Sequence, residues 1–294
     1  MKRITRNLFH VTAPLHARVT YAALATKHGK EAIFQPAFAT INISVVVTDI
    51  NTDLFGTFAG EVEREGSARD TAERKARAAI DASGLPIGLA SEGSFGPHPA
   101  TPFLLADTET VVYVDRDEHY SVFETAGAIS SVPAAAVIED LDAINGLKIT
   151  SLFPQQRAIV VREDRATKTR TVLAKGIASV DKLRDVVAGA LEESSAISSV
   201  IVEPDLRAHY CPDRQKVIQV AVDRLIKRLQ VNCPSCDARG FGPVRTIPGL
   251  RCAMCDLPTT RTAVDVMGCA RCEFETEIAR AGTADPTFCD RCNP

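Results

Sequence analysis

Several features are missing from this 294-residue sequence, and each absence narrows its class. No stretch approaches the roughly eighteen consecutive apolar residues of a membrane-spanning helix. Charges and histidines run through residues 1–30, where a signal peptide needs an apolar centre. The formal net charge is only −3 at pH 7, which gives no general attraction for phosphate backbones or anionic lipid. We therefore expect a cytoplasmic protein with no membrane partner and with nucleic acid disfavoured as a partner.

Cysteine is absent before Cys211, whereas eight of the nine cysteines lie between Cys233 and Cys292. They form four C-x-x-C pairs, and each such pair brings two sulfurs together over a tight turn as half of a tetrahedral zinc shell. The intervals favour pairing along the chain, the first pair with the second and the third with the fourth, although alternating pairs fit nearly as well. A disulfide framework is the alternative, but an intracellular chain has no reason to confine bridges to its tail. The sequence thus predicts two structural Zn²⁺ sites in a double zinc ribbon, with the ligands Cys233, Cys236, Cys252, Cys255, Cys269, Cys272, Cys289 and Cys292. We interpret Cys211 as a small buried residue.

The charge around these cysteines decides how the tail is interpreted. From Cys233 onward, the sequence contains seven arginines and eight acidic residues. Four thiolates on one Zn²⁺ add about −2 for each site, so the metal-loaded tail should repel DNA. We interpret the tail as a structural cap or a module that contacts a protein partner, with nucleic-acid binding as the alternative.

The rest of the chain alternates between strand-like and helical segments, which predicts an α/β fold with a mixed sheet flanked by helices. One predicted helix begins after Ser67 as N-cap and ends before Gly84. Another is predicted over "AAAVIEDLDAI", residues 134–144. We expect an N-terminal extension over residues 1–17, an α/β domain over 18–230 and a zinc-ribbon domain over 231–294.

Two segments carry candidate chemistry. In "ATKHGKEA", Lys27 to Lys30 lie on a strand-to-helix turn whose amides and lysines could hold an anion, although the spacing is that of neither a P-loop nor a dinucleotide motif. In the helix after Ser67, Asp70 has two interpretations. It completes a capping box with Ser67, or it binds a metal.

Taken in order, these segments resemble the inosine triphosphate pyrophosphatase family. "ATKHGK" is similar to the opening A-T-x-N-x-G-K turn, although it is one residue shorter and has His28 where asparagine is usual. "SARDTAERKARAA" is similar to the helix T-F-x-E-N-A-x-x-K-A, and "LPIGLASEGSFG" resembles the branch with a single acid in E-G-G. "DLRAHYCPDRQ" is loosely similar to the closing serine-histidine-arginine turn. The resemblance covers about residues 18 to 230, and an uncharacterised group of bacterial proteins shares it together with the zinc tail.

This resemblance implies an activity. The chain would hydrolyse a nucleoside triphosphate or related nucleotide, its substrate or ligand, to monophosphate and pyrophosphate with Mg²⁺. Asp70 and Glu92 would be the catalytic acids that share the metal in one cleft, and Gly88, Gly93 and Gly96 would let the main chain approach a base or sugar. The implied substrate and phosphate ligands are His28, Lys30, Lys75, Arg207, His209 and Arg214.

Three alternatives stay open. The protein could be a catalytically inactive nucleotide sensor whose zinc tail docks a partner. Glu92 could be a solvated loop acid beside a proline-rich turn. The last arginines could be exposed, with Asp213 capping the final helix.

Overall fold

The structure is a computed structural model that describes residues 19–56, 64–98, 100–194 and 197–294. The predicted extension over residues 1–17 lies outside these ranges. Within them, no helix is both long enough and apolar enough to cross a membrane.

A five-stranded mixed sheet forms the centre of the main domain, which confirms the predicted α/β class. The strand order is β2-β1-β3-β4-β5, in which β1 pairs in parallel with β2 and β3 while β3, β4 and β5 form an antiparallel meander. In chain order the elements are β1 (Thr20–Ala25), α1 (Glu31–Ala39), β2 (Ile43–Thr48), α2 (Ala68–Ser83), β3 (Ile87–His98), β4 (Thr101–Asp115) and β5 (Tyr120–Ile129).

A second, antiparallel sheet of four strands follows, in the order β6-β9-β7-β8. One helix packs on it and buries Leu183 and Val187. The elements are β6 (Ala136–Ile138), β7 (Ala158–Asp164), β8 (Arg170–Ile177), α3 (Val180–Glu192) and β9 (Ser198–Pro204). The helix predicted over 134–144 is wrong, because β6 and a 3₁₀ turn at Asp142–Gly146 occupy that segment.

Helices cover both faces of the central sheet. Successive residues of a strand face opposite sides, so Ala22 and Leu24 pack with α1 and with α4 (Pro212–Leu229), whereas Ala23 and Ala25 pack against α2. Gly88 lies under α2, where a Cβ would come within 2.3 Å of the carbonyl oxygen of Ala76. The expectation that Gly88 makes room for a ligand is therefore wrong, because the absence of a Cβ at Gly88 makes room for α2.

The cysteine-rich tail folds on a three-stranded antiparallel sheet, β10 (Gly242–Pro248), β11 (Thr262–Gly268) and β12 (Glu275–Ala279). It packs directly on the main domain. Ala238 joins the core that α1 and α4 form with the central sheet, and a Cβ on Gly240 would lie 2.5 Å from Val122. Arg228 of α4 donates to the Gly240 carbonyl over 2.9 Å and pairs with Glu124 over 3.0 Å. The tail is therefore anchored at the C-terminal end of α4.

Candidate functional site

A cleft opens where β1 and β2 end, beside the middle of β3. It is lined by the turn from Thr26 to Lys30, by Thr52 and Asp53 of the turn after β2, and by Ser91 and Glu92 of β3. Lys175 of β8 reaches it from the second sheet. The carboxyl ends of parallel strands are the usual ligand position in open α/β sheets.

Positive charge dominates the lining. Among the described residues that line the cleft, the carboxylates are those of Asp53 and Glu92. His28 is neutral at pH 7 because burial and the charge of Lys30 lower its pKa to about 4. The cationic side chains are Lys27, Lys30, Lys75, Lys175, Arg207 and Arg214. Such a surface favours an anionic ligand.

Glu92 is buried on β3, with 6% of its surface exposed, so the interpretation as a solvated loop acid is wrong. Lys75 of α2 donates from Nζ to Glu92 Oε2 over 2.6 Å, and Arg64 Nη1 lies 3.6 Å from Glu92 Oε1. Arg64 also donates to the carbonyl of Gly93 over 3.1 Å. Both carboxylate oxygens of Glu92 thus face cations.

Lys30 lies deeper in the cleft, with 8% of its surface exposed. Its Nζ donates to the carbonyl oxygen of Ser91 over 3.2 Å. Burial, and secondarily the charge of Arg214, lower the pKa of Lys30 to about 7. A substantial fraction of the amine is therefore neutral near physiological pH.

Arg214, in the first turn of α4, is held by an acid that the sequence interpretation missed. It is 1% exposed, donates from Nε to Glu109 of β4, and donates from Nη1 to the Leu206 carbonyl over 2.7 Å. Gly93 makes room for this pair, because a Cβ there would lie 2.2 Å from Glu109 Oε1. Asp107, two residues earlier on β4, is also buried, and burial together with Glu109 raises its pKa to about 7. The available signal was the pair of acids, Asp107 and Glu109, inside a strand that continues into the apolar run of residues 111–114.

Arg207 reaches the same cleft from the turn between β9 and α4. The carboxylate of Asp205, which is fully buried, accepts from Arg207 Nη2 over 2.6 Å and so orients the guanidinium. His209 stacks on His28 with 5.1 Å between ring centroids, and burial lowers its pKa. The alternative in which both arginines are exposed is wrong, because Arg207 is only partly exposed and Arg214 is buried.

Asp70 lies elsewhere. Its carboxylate accepts from Ser67 Oγ over 2.6 Å and from Ser67 N over 3.2 Å, while Ser67 Oγ accepts from Asp70 N over 3.1 Å. This is the capping box of α2, and Asp70 is not among the residues that line the cleft. The expectation that Asp70 and Glu92 open into one cleft is therefore wrong.

The described residues do not fit a magnesium site by themselves. Mg²⁺ prefers several oxygen ligands in octahedral geometry. Of the two cleft carboxylates, Asp53 pairs with Lys27 over 2.9 Å and Glu92 with Lys75 over 2.6 Å. In the described ranges, the side chains that converge with metal-site spacing are cysteines.

The eight cysteines form two clusters whose ligand atoms lie within 4.8 Å of one another, which is the ligand set of a structural zinc centre. None of them forms a disulfide. The proximal centre, which packs on the main domain, contains Cys233, Cys236, Cys269 and Cys272; the distal centre contains Cys252, Cys255, Cys289 and Cys292. Cys211 is buried outside both, as expected.

The preferred pairing of neighbouring C-x-x-C pairs is wrong, because the first pair joins the third and the second joins the fourth. Strand register is the cause. Gly242 at the start of β10 pairs with Gly268 at the end of β11, which brings the first and third pairs to one end of the sheet. The antiparallel β12 then returns the chain to the other end, where the second and fourth pairs meet.

The fold and the site define an α/β protein with a cation-lined cleft and a C-terminal module built on two four-cysteine centres. The chain belongs to a family described as a domain of unknown function, DUF6671, whose model matches residues 75–294. The match begins within α2 and includes Glu92, Arg207, Arg214 and both cysteine centres. No curated protein and no solved structure matches this chain.

Proposed function

We propose that this protein binds a nucleoside triphosphate or a related nucleotide by its phosphates and hydrolyses it to monophosphate and pyrophosphate. The observation that supports this most is the cleft at the ends of β1 and β2, whose described lining carries six basic side chains and two carboxylates. Two of the six, Arg207 and Arg214, are oriented by Asp205 and Glu109. Phosphoryl transfer needs mainly cations on the phosphates and an oriented water. The resemblance to the inosine triphosphate pyrophosphatase family, with its fold, is part of this proposal.

The burial of each basic side chain suggests which part of the ligand it would contact. Lys30 and Arg214 are buried and would hold the reacting phosphates, whereas Lys27 and Arg207 lie nearer to solvent and would hold the outer end of the ligand. A phosphate that draws Lys75 away would leave Glu92 as a base for the attacking water. His28 and His209, both neutral, would face the base or sugar.

Magnesium enters this proposal only with the substrate. Mg²⁺ commonly reaches such sites bound to substrate phosphates and uses one or two protein carboxylates. Glu92 and Asp53 are the described candidates for that contact, and a magnesium requirement is accordingly tested as a property of the substrate complex.

A catalytically inactive nucleotide sensor is the second candidate, and the state of Glu92 favours it. Both carboxylate oxygens of Glu92 face cations, and no second described carboxylate stands free beside it. In this version, the cysteine module would dock a protein partner. The absence of disulfides from both clusters suits either candidate in a reducing compartment such as the cytoplasm.

Turnover and binding measured together separate the two candidates. Full-length protein carrying its zinc would be incubated with a nucleotide panel, with and without MgCl₂, and pyrophosphate would be measured. Binding of the same nucleotides would be followed by calorimetry. Turnover of at least one nucleotide supports hydrolysis; binding without turnover supports the sensor, and neither binding nor turnover refutes both.

A further inference from the structure

Lys30 has an environment unlike that of the other lysines of the cleft. It is buried, and its hydrogen bond goes to a neutral acceptor, the carbonyl oxygen of Ser91. The two acids that act most strongly on the pKa of Lys30 already form ion pairs, Glu109 with Arg214 and Glu92 with Lys75. Among the described residues, no carboxylate forms an ion pair with Lys30.

A buried ammonium without a carboxylate partner is costly, and a group in this position sheds its proton instead. The positive charge of Arg214 adds to the effect of burial. With a pKa of about 7, a substantial fraction of the Lys30 amine is neutral at pH 7. An ordinary lysine is neutral in roughly one molecule in 3,000 at this pH. A desolvated lysine beside other cations is a recognised way to make a nucleophilic amine.

The cleft also presents the cations that would hold a phosphate next to this amine. Lys75, Arg207 and Arg214 line the same cleft as Lys30. A small molecule that carries both a phosphate and an aldehyde could therefore be held at one end while its carbonyl carbon lies against Nζ. Neighbouring residues therefore supply a poorly solvated amine and basic side chains that could anchor the phosphate of an electrophile.

We propose that Lys30 is a covalent modification site at which the ε-amine condenses with phosphate-bearing aldehydes. The Nζ lone pair attacks the carbonyl carbon, and the resulting carbinolamine loses water to give an imine. The carbonyl oxygen leaves with the two amine hydrogens, so that the reaction needs no further reagent. The imine would occupy the cleft and block the binding of other phosphates. The anchoring of the phosphate rests on the proposed function, whereas the reactivity of the amine does not.

Pyridoxal 5′-phosphate is a suitable probe. The full-length, zinc-loaded protein would be treated at pH 7, the imine reduced with borohydride, and the label on each lysine measured by peptide mass spectrometry. Lys168 and Lys216, with side chains 70% and 76% exposed, serve as references within the same molecule. We expect Lys30 to react about tenfold faster than either reference or more, because its neutral fraction is far larger. Labelling of Lys30 at or below the rate of the references would overturn the proposal.

Lys75 provides a matched control without mutation. It lines the same cleft and is equally buried, with 7% exposed, but its Nζ forms an ion pair with Glu92 over 2.6 Å. Lys75 should react about tenfold more slowly than Lys30. Equal labelling of the two lysines would mean that the cleft merely concentrates the reagent, and the proposal would fail.

A second comparison tests the aldehyde class. Pyridoxal carries the same aldehyde without the phosphate and should label Lys30 about tenfold more slowly, and inorganic triphosphate should protect Lys30 from the phosphorylated reagent. Equal rates with both reagents, without protection, would refute the phosphate-bearing class. The proposed hydrolysis is tested separately by the pyrophosphate assay, because either labelling result is compatible with the presence or the absence of hydrolysis.

Discussion

The ammonium of Lys75 donates to the carboxylate of Glu92 over 2.6 Å, and each residue is less than a tenth exposed. The two residues come from α2 and β3 and meet across the packed face of the sheet. Their contact neutralises one acid and one cation of the cleft. Any change to Glu92 therefore alters both the chemistry of the cleft and its charge.

Replacing Glu92 by glutamine should separate binding from turnover. The change adds one positive charge to the cleft, so the affinity for inorganic triphosphate should stay equal or rise, whereas turnover should fall by about 10² or more. Lys75 would keep a weaker acceptor, and we expect the free energy of unfolding to fall by about 1–3 kcal/mol. Calorimetry, a pyrophosphate assay and urea unfolding measure the three effects. Turnover of Glu92→Gln at the wild-type rate would end the pyrophosphatase assignment.

The matched control for this variant is Glu193→Gln. The side chain of Glu193 is 74% exposed and pairs with Arg162 on the surface. Its neutralisation should change the free energy of unfolding by no more than about 0.5 kcal/mol and should leave turnover unchanged.

Asp70→Asn should leave turnover and triphosphate affinity unchanged, because the carboxylate belongs to the capping box of α2. The hydrogen bonds from Ser67 hold the pKa of Asp70 below its usual range. Its stabilising contribution is therefore present above about pH 4 and is lost as the pH falls through the lower, folded-state pKa. Urea unfolding should show a small deficit for Asp70→Asn at pH 7 that disappears in acid. Loss of turnover in Asp70→Asn would contradict this interpretation and would indicate a catalytic role for Asp70.

Gly93→Ala should disrupt the buried pair of Glu109 and Arg214. The new Cβ would lie 2.2 Å from Glu109 Oε1 and 2.7 Å from Arg214 Nη2, so the pair must shift. We expect a loss of about 1–3 kcal/mol in the free energy of unfolding, together with weaker triphosphate binding. Gly96→Ala, three residues later, is the control, because a Cβ there meets nothing within 4 Å. Similar behaviour of the two variants in unfolding and calorimetry would contradict this role for Gly93.

Phosphate binding should take up a proton at Lys30. A bound anion favours the ammonium and raises the pKa of Lys30 from about 7, so affinity should be highest below pH 7 and should fall as the pH rises above it. Calorimetry at pH 7 in buffers of different ionisation enthalpy measures the number of protons taken up per triphosphate. The uptake should be smaller in Lys30→Met than in the wild type, and the remainder belongs to Asp107, whose pKa is also about 7, and to the triphosphate itself. His28→Gln should leave the uptake unchanged, because the pKa of His28 is lowered to about 4. Equal uptake in the wild type and in Lys30→Met would assign the proton to another group.

The two cysteine centres should bind two zinc ions per chain and differ in their effect on the main domain. Cys236→Ser in the proximal centre and Cys255→Ser in the distal centre are matched, since each is the second cysteine of its pair and each is partly buried. Cys236 packs against the main core, so its loss should lower the main thermal transition by the equivalent of about 1–3 kcal/mol, roughly 2–4 °C for each kcal/mol. Cys255→Ser should lower it far less. Elemental analysis and calorimetry test both statements; less than one zinc per wild-type chain, or equal thermal losses, would contradict them.

Local patterns predicted the parts of the fold that depend on neighbours in sequence. The start of α2 at Ser67 and its end before Gly84 follow from capping chemistry, and the structure confirms both. The helix predicted over 134–144 is wrong because Val137 and Ile138 pair with Ile201 and Val200 of β9 instead. That partner is far away in sequence, so helical periodicity alone gives no sign of it.

The candidate site divides in the same way. C-x-x-C spacing identified all eight cysteines of the two clusters, but strand register decides which pairs meet, and the spacings do not encode it. Arg214 and Glu109 are 105 positions apart, and a pair buried across two elements has no local signature. Asp70 illustrates the opposite case, because the capping box of Ser67 and Asp70 is visible in the sequence and the structure confirms it.

The alternating pairing also determines what a half-loaded molecule looks like. The proximal centre closes the chain from Cys233 to Cys272, and the distal centre closes it from Cys252 to Cys292. These two loops overlap over Cys252 to Cys272, the segment that contains β11. If zinc occupies both clusters, loss of either ion would leave this central strand inside the loop that the other ion closes, whereas sequential ribbons would release one half of the module entirely. A molecule with one zinc would therefore be a loosened module with a persistent central strand.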